Sequence, residues 1–325
     1  MTNKEALEIT KQARTQSPLA SGNSRRCYRV GNYAVLIEKG SLSELERTQE
    51  LKKQVDIMIK NGINTPEIFS VLQENGEIVM IQQFVEGQPL YHRGEKSYCL
   101  GKNLPLPKNS AIIYKELRDE FNKKYGYTIS QIMSFSREEK LKYNKDLEDY
   151  KAKCLDSDEK WKKEYGYFLE IERQVKDYNL NNAYKISQVS QKFYDKFLQD
   201  MLSCFKIGIR GIDCHSDNYM VNDEKGFVFV DVAKLDSQPT EKIDHEDMLT
   251  AFSFVCDILT RGAIAEEGDE NKEKADKALK EILTKCFKSG KSIGLSEEEC
   301  IRKLTWNVRK RFEEISFDDI ERELE

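Results

Sequence analysis

The pattern of apolar and polar positions divides the chain into a strand-rich first third and a helix-rich remainder. Residues 27–30 and 33–37 flank Gly31-Asn32, a two-residue loop whose residue types accept positive φ, so a tight hairpin is expected. Ser43 followed by Glu46 resembles a capping box, and Leu51, Val55, Met58 and Ile59 then recur at helical spacing until Asn61-Gly62. One amphipathic helix is expected there. Pro66 leads into a second hairpin, 68–72 and 78–84 around the turn 73–76, which ends at Glu86-Gly-Gln-Pro89. From Tyr91 to about Gly208 the periodicity is helical, interrupted at Leu104-Pro-Leu-Pro107 and at Asp156-Ser-Asp158. A second strand island covers 218–221 and 227–231. After it, 245–259 is apolar nearly all round, which marks a helix buried on every side, and 266–325 reads as charged amphipathic helices covering that core.

Composition narrows the classes of function. The 325 residues carry 52 Lys and Arg against 57 Asp and Glu, a formal charge of −5, whereas a dedicated nucleic-acid binder normally shows a basic excess. With 39% apolar residues, among them 15 Phe and 15 Tyr, the chain is able to bury a sizeable core, which excludes disorder throughout. Six Pro and 17 Gly are few breakers for this length and favour helix. No stretch approaches the roughly 18 apolar residues of a membrane span, and the N-terminus lacks the apolar core of a signal peptide. A cytoplasmic protein is the expectation, with a secreted effector as the other possibility. The eight Cys form no C-x-x-C pair and read as reduced thiols, not as a disulfide framework or a zinc site.

The segment Gly211-Ile-Asp-Cys-His-Ser-Asp-Asn218 carries the most chemical information. Asp213 and Asn218 have the D-x-x-x-x-N spacing of a kinase catalytic loop, in which the Asp accepts the substrate hydroxyl proton and the Asn holds magnesium. If Asn222 pairs with Phe227 across a four-residue turn, Asn218 stands opposite Asp231, and two hard oxygen ligands meet at one ribbon end. Met220 and Phe229 would then share a face and offer an apolar floor for a purine ring. Other arrangements fit less well. His215 and Asp217 with the distant His245 have the residue types of a two-His-one-carboxylate iron site, but that site normally occupies a β-rich barrel and this chain is mostly helical. Cys214 and His215 fail as a nucleophile pair because neighbouring side chains point apart.

These residues resemble the aminoglycoside phosphotransferase and choline kinase-like branch of the protein-kinase-like superfamily, whose members carry H-G-D-L-H-P-x-N followed by two apolar strands, the second ending in Asp. The matching stretches are Gly-Ile-Asp213-Cys-His215-Ser-Asp-Asn218 and Val-Phe-Val-Asp231. Further upstream, 19–30 is similar to the family's phosphate-covering loop, Asn61-Gly-Ile-Asn-Thr-Pro-Glu67 to its phrase after the regulatory helix, and 81–90 to the hinge between lobes. Two departures stand out: Gly211 replaces the family's His, and Val232-Ala-Lys follows Asp231 where the family has an aromatic-acidic pair. The stretch from Tyr91 to Ile212 matches no motif, and its Lys/Tyr-rich part, 112–167, reads as a solvated helical face.

The resemblance implies an α+β, bilobal protein-kinase-like fold. A small antiparallel-sheet N-lobe would occupy 1–90, and a large helical C-lobe 91–325, with a helical insertion at about 91–207 and the catalytic loop at 211–234. ATP and Mg2+ would lie between the lobes. Gly22, Asn23 and Ser24 would cover the phosphates, and the backbone of Gln83 and Val85 would bond the adenine above Met220. Lys39 would grip the phosphates with Glu50, or alternatively Glu46, as its partner. Asp213 would be catalytic, Asn218 and Asp231 would hold the metal, and Asp247 would brace the loop. The implied function is γ-phosphoryl transfer to a hydroxyl of a small molecule. The alternatives are an atypical protein Ser/Thr kinase, possible as a bacterial effector, and a nucleotide-binding pseudokinase.

Overall fold

The first element is α1 (Asn3–Arg14), which the expectations above do not include. Thr2 and Glu5 cap each other's backbone N–H at its start, and Ala6, Thr10 and Ala13 are buried along one side. The structure is a computed structural model that describes residues 1–21, 25–92, 94–210, 218–230, 239–240, 242–263, 271–305 and 308–309. Its class is α+β, with an antiparallel sheet near the N-terminus and a helical region after it.

The sheet contains β1 (Ala20–Ser21), β2 (Arg25–Val30), β3 (Tyr33–Lys39), β4 (Ile68–Glu74) and β5 (Glu77–Gln83), in the spatial order β1-β2-β3-β5-β4. Gly31, at φ +57°, starts the first hairpin turn, and Asn75-Gly76, both at positive φ, make the second. Both hairpins match the expectation. Helix α2 (Leu42–Lys60) connects β3 to β4, and its cap lies two residues before the expected one: the Glu44 carboxylate accepts from the Ser41 N–H at 2.6 Å and from its hydroxyl at 3.0 Å. Strand alternation gives the sheet two apolar faces. Tyr28, Val30, Val35, Ile37, Val79 and Ile81 pack against α1, whereas Leu36, Met80 and Ile68 pack against Leu51 and Val55 of α2.

A second, smaller sheet joins β6 (Gln88–Pro89), β7 (Tyr219–Asn222) and β8 (Gly226–Phe229). Here the register differs from expectation by one residue. Asn222 pairs with Gly226, not with Phe227, because Gly226 sits at φ +72° and ends a three-residue turn over 223–225. Met220 therefore opposes Val228, and Asn218 lies beside Val230, whose N–H donates to the Asn218 carbonyl at 2.9 Å. Phe229 opposes Tyr219 in the main core, on the face away from Met220.

The helical region begins with α3 (Glu95–Lys102), α4 (Ser110–Tyr125), α5 (Ile129–Ser134) and α6 (Arg137–Ser157). Next comes α7 (Glu159–Gln188), which spans about 45 Å at the α-helical rise. Two of the breaks, at 103–109 and at Asp158, fall where Pro and Asp were expected to place them, and three more, at 126–128, 135–136 and 189–190, were not expected. Unlike the expected solvated face, this part holds cores of its own: Ile113, Leu117, Trp161 and Phe168 in one, and Phe121, Tyr143 and Leu147 in another. The main core lies farther along the chain, where α8 (Gln191–Lys206), α9 (His245–Thr260) and α10 (Lys272–Ser292) pack around Phe197, Phe205, Phe252 and Phe287, with α11 (Glu297–Lys303) alongside. Among the described residues no helix is long and apolar enough to cross a membrane. The seven described cysteines are free thiols.

The turn after α2 joins the sheet to the helical region. The Asn64 side-chain amide donates to the carbonyls of Lys225 (2.9 Å) and Phe227 (2.7 Å), the Asn64 main-chain carbonyl accepts from the Phe229 N–H (2.9 Å), and the Thr65 hydroxyl donates to the Phe229 carbonyl (3.0 Å). From α8, buried Asp200 accepts from the Asn64 N–H at 3.2 Å, and Lys196 donates to the Gly62 carbonyl at 2.6 Å. Truncation by Asn64→Ala removes two donors and leaves two strand carbonyls without them, a loss of about 2 kcal/mol. Thermal melting is expected to fall by several degrees; a melting point within about 1 °C of wild type would contradict this role for Asn64.

Candidate ligand-binding site

Between the first sheet and the β7–β8 ribbon lies a cavity of about 550 Å³. Ala34 and Cys27 line it from β3 and β2, Leu51 and Val55 from α2, and Met220 and Val230 from the ribbon. Phe84, Val85 and Gly87, on the segment joining the two sheets, close one side. Gly87 is required there: its φ is +148°, and a Cβ would stand 2.4 Å from the Val221 carbonyl oxygen. Val85 is buried, and its N–H has no hydrogen-bond partner among the described residues. A buried backbone donor left open in this way is suited to a ligand acceptor. The neighbouring Gln83 N–H already donates to the Glu67 carbonyl at 2.8 Å.

Beyond Gly87 the chain is held by α7. Asn182 donates to the carbonyls of Pro89 (2.9 Å) and Leu90 (3.1 Å), the Tyr178 hydroxyl donates to the Pro89 carbonyl (3.0 Å), and Asn179 exchanges bonds with the His92 backbone. The rings of His92, Tyr98 and Tyr178 cluster at 4.6–6.1 Å, and the Lys102 ammonium lies 5.6 Å from the Tyr178 ring centre. From the end of α3, the Asn103 amide donates to the Pro18 carbonyl at 2.7 Å, so this helix spans from the helical region to the start of β1.

The charge pattern of the lining is one-sided. Arg25 and Lys102 contribute to it, and no Asp or Glu does among the described residues. An apolar cavity with two cations, an open backbone donor and polar Gln82, Gln83 and Asn218 suits a ligand with a flat apolar part and an anionic part. Two open grooves of about 590 and 710 Å³ lie among α4, α5, α6 and α7, but Lys and Asp or Glu side chains of both signs line each of them.

The expected site residues fall into three groups. Asn218, Met220, Gln83 and Val85 line the cavity together. Gly22, Asn23, Ser24, Asp213 and Asp231 lie outside the described residues. Lys39 and Glu50 do not line the cavity. Lys39 is exposed at the end of β3 with the parity of Val35 and Ile37, so it belongs to the sheet face that α1 covers, away from the cavity. Glu50 is exposed on α2 and pairs with Lys53 at 2.8 Å. The β3 side chain that faces the cavity at this depth is Leu36, and its neighbour from α2 is Leu51; both pack in one apolar cluster.

Reading strands one at a time missed Arg25. It pairs in register with Glu38, and its Nε lies 2.9 Å from Glu38 Oε2. The signal was present in the Arg25/Cys27 alternation on β2. Asp247, at the start of α9, is buried and takes a bidentate pair from Arg210, the residue that leads into 211–217, with Nη2 at 2.9 Å from Oδ2. Asp244 caps this helix through the Asp247 N–H at 2.8 Å.

No protein-family model matches the chain, and no curated protein matches it.

Burial in the cavity wall raises the Cys27 thiol from its ordinary 9.0 to about 11. The sign follows: a raised folded-state value means that the neutral thiol's contribution to stability is intact below pH 9 and is lost as pH rises towards 11. Native protein treated with iodoacetamide at about pH 7.5 is therefore expected to leave Cys27 unlabelled by peptide mass spectrometry. Rapid labelling at that pH would show an exposed, ionisable thiol instead.

Proposed function

We propose that the protein is an ATP-dependent phosphotransferase of bilobal, protein-kinase-like build that moves the γ-phosphoryl group of ATP to a hydroxyl of a small molecule. The observation that carries this reading is the cavity between the five-stranded sheet and the β7–β8 ribbon, with Asn218, Gln83, Val85 and Met220 together in its lining. The strand order β1-β2-β3-β5-β4, with a helix between β3 and β4, supports the same reading. In it, 1–90 is the smaller lobe and 91–325 the larger.

The adenine would lie between Ala34 above and Met220 and Val230 below, with the Val85 N–H and the Gln83 carbonyl on its edge. Asn218 fits one ligand position of a magnesium ion, since its amide oxygen is a hard donor at the cavity wall, and Asp231 would supply the second. Such an ion neutralises phosphate oxygens. Asp213 would orient the acceptor hydroxyl and take its proton as the new O–P bond forms and the bond to the β-phosphate oxygen breaks, leaving ADP. Because the transferred group is charge-dispersed at the transition state, positioning and cationic stabilisation supply most of the rate.

A second reading, nucleotide binding without turnover, is favoured by Leu36 and Leu51, which occupy the cavity wall where an ion pair would be expected. Magnesium-dependent ATP consumption against a panel of small hydroxyl compounds separates the two. Asp213→Ala and Asp231→Ala are each expected to slow turnover by a hundredfold or more, on the order of a lost general base or metal ligand. If both variants consumed ATP at the wild-type rate, the assignment would be wrong. Phosphate appearing in added protein instead would move the acceptor class to protein, and ATP binding without any turnover would establish the second reading.

A further inference from the structure

We propose that Arg25, on β2, is the side chain that holds the nucleotide phosphates, with Glu38 orienting it. The inference rests on the nucleotide reading of the cavity and adds a residue that the expected Lys39–Glu50 pair does not contain.

Position along the strands makes the case. Ala34, Leu36 and Glu38 are successive residues on one face of β3, and the register sets Cys27 against Leu36 and Arg25 against Glu38. The closed side at Phe84 and Val85 lies at the Tyr33 end, where Tyr33 opposes Gln83. Moving away from that side, the wall passes Ala34, then Cys27 and Leu36, then Arg25. That is two strand pleats, or about 14 Å, the right order of distance between a purine and the phosphates of one extended nucleotide. The middle of the wall is apolar, and Arg29, on the same face opposite Ala34, is outside the lining and lies over Phe84, so the cation of this wall that a phosphate chain meets is the Arg25 guanidinium.

Chemistry agrees with position. Arg25 lines the cavity while its side chain stays about one-third exposed, so the guanidinium is hydrated and reachable. Its Nε is engaged by Glu38 at 2.9 Å, which leaves the Nη donors for phosphate oxygens, a geometry that a planar guanidinium suits better than an ammonium. Lys39, by contrast, is on the opposite sheet face.

The test compares affinities for adenosine, ADP and ATP with magnesium, by calorimetry, in wild type and in Arg25→Ala, Arg25→Lys and Lys39→Ala. Arg25→Ala is expected to bind adenosine as wild type does, which also reports an intact fold, but to lose roughly tenfold to a hundredfold in ATP and ADP affinity, the scale of a charge-assisted bond. Arg25→Lys should recover part of that loss, and Lys39→Ala should bind all three as wild type. If wild type binds ATP and Arg25→Ala binds it equally well, or Lys39→Ala loses it, the role given to Arg25 is overturned while the nucleotide reading stands. If wild type binds neither adenosine nor ATP, the nucleotide reading fails and takes this inference with it.

Discussion

The hydrogen bonds that tie residues 64 and 65 to the backbone of β8 are what the rest of the molecule depends on. A sheet and a ribbon joined by one short segment would otherwise be free to close on each other and bury their apolar faces directly. Asn64 satisfies two ribbon carbonyls and one ribbon N–H, and Thr65 a further carbonyl, so the approach of the two walls is set by hydrogen-bond geometry and not by collapse. On the other side, Asn179, Asn182 and Tyr178 hold the chain from Pro89 to His92 against α7. With both edges fastened, the space between the walls persists as a cavity.

How charge is distributed in that cavity follows from the same economy of burial. Leu36 and Leu51, half-buried in the cavity wall, share a cluster with buried Val55, Ile68 and Met80. An ion pair at that depth would need its desolvation offset by close geometry, and an apolar contact carries no such cost. The Arg25–Glu38 pair instead lies at the wetter end of the strands, with one-third of the arginine side chain exposed. The cavity thus separates an apolar interior from a hydrated end where a guanidinium is held by a carboxylate.

Much of the fold was legible in the residues, and the failures have specific causes. Both N-terminal hairpins and the long buried helix follow from alternation and from Gly31, Gly76 and the apolar run that became α9. Helix α1 was readable in Ala6, Ile9, Thr10 and Ala13, spaced for one helical face, but its small residues give a weak apolar signal. The cap of α2 slipped by two positions because Ser41 and Ser43 both precede a Glu at the right spacing, and only tertiary structure chooses Ser41. The ribbon register slipped by one because Gly226 tolerates a left-handed φ and so joins the strand pair. Of the wall residues, Asn218 was legible in the D-x-x-x-x-N spacing and Met220 in the strand pattern after it, whereas Gln83 and Val85 came only from the resemblance of 81–90 to a hinge. Arg25 was not found, since its position depends on the pairing of β2 with β3 as well as on β2 itself. The tyrosines of α4–α7 escaped for a related reason: only packing shows that Tyr143 is buried beside Phe121 and Leu147.

The central claim is that the space between sheet and ribbon receives a nucleotide, base first, against the Val85 N–H. Hydrogen exchange followed by mass spectrometry, with and without magnesium and ATP, tests it most directly. The account expects exchange to slow in peptides covering 83–87 and 219–222, while peptides from the grooves among α4–α7, at 121–127 and 143–154, stay unchanged. Unaltered exchange at 83–87 under saturating ATP, or protection confined to α4–α7, would contradict it.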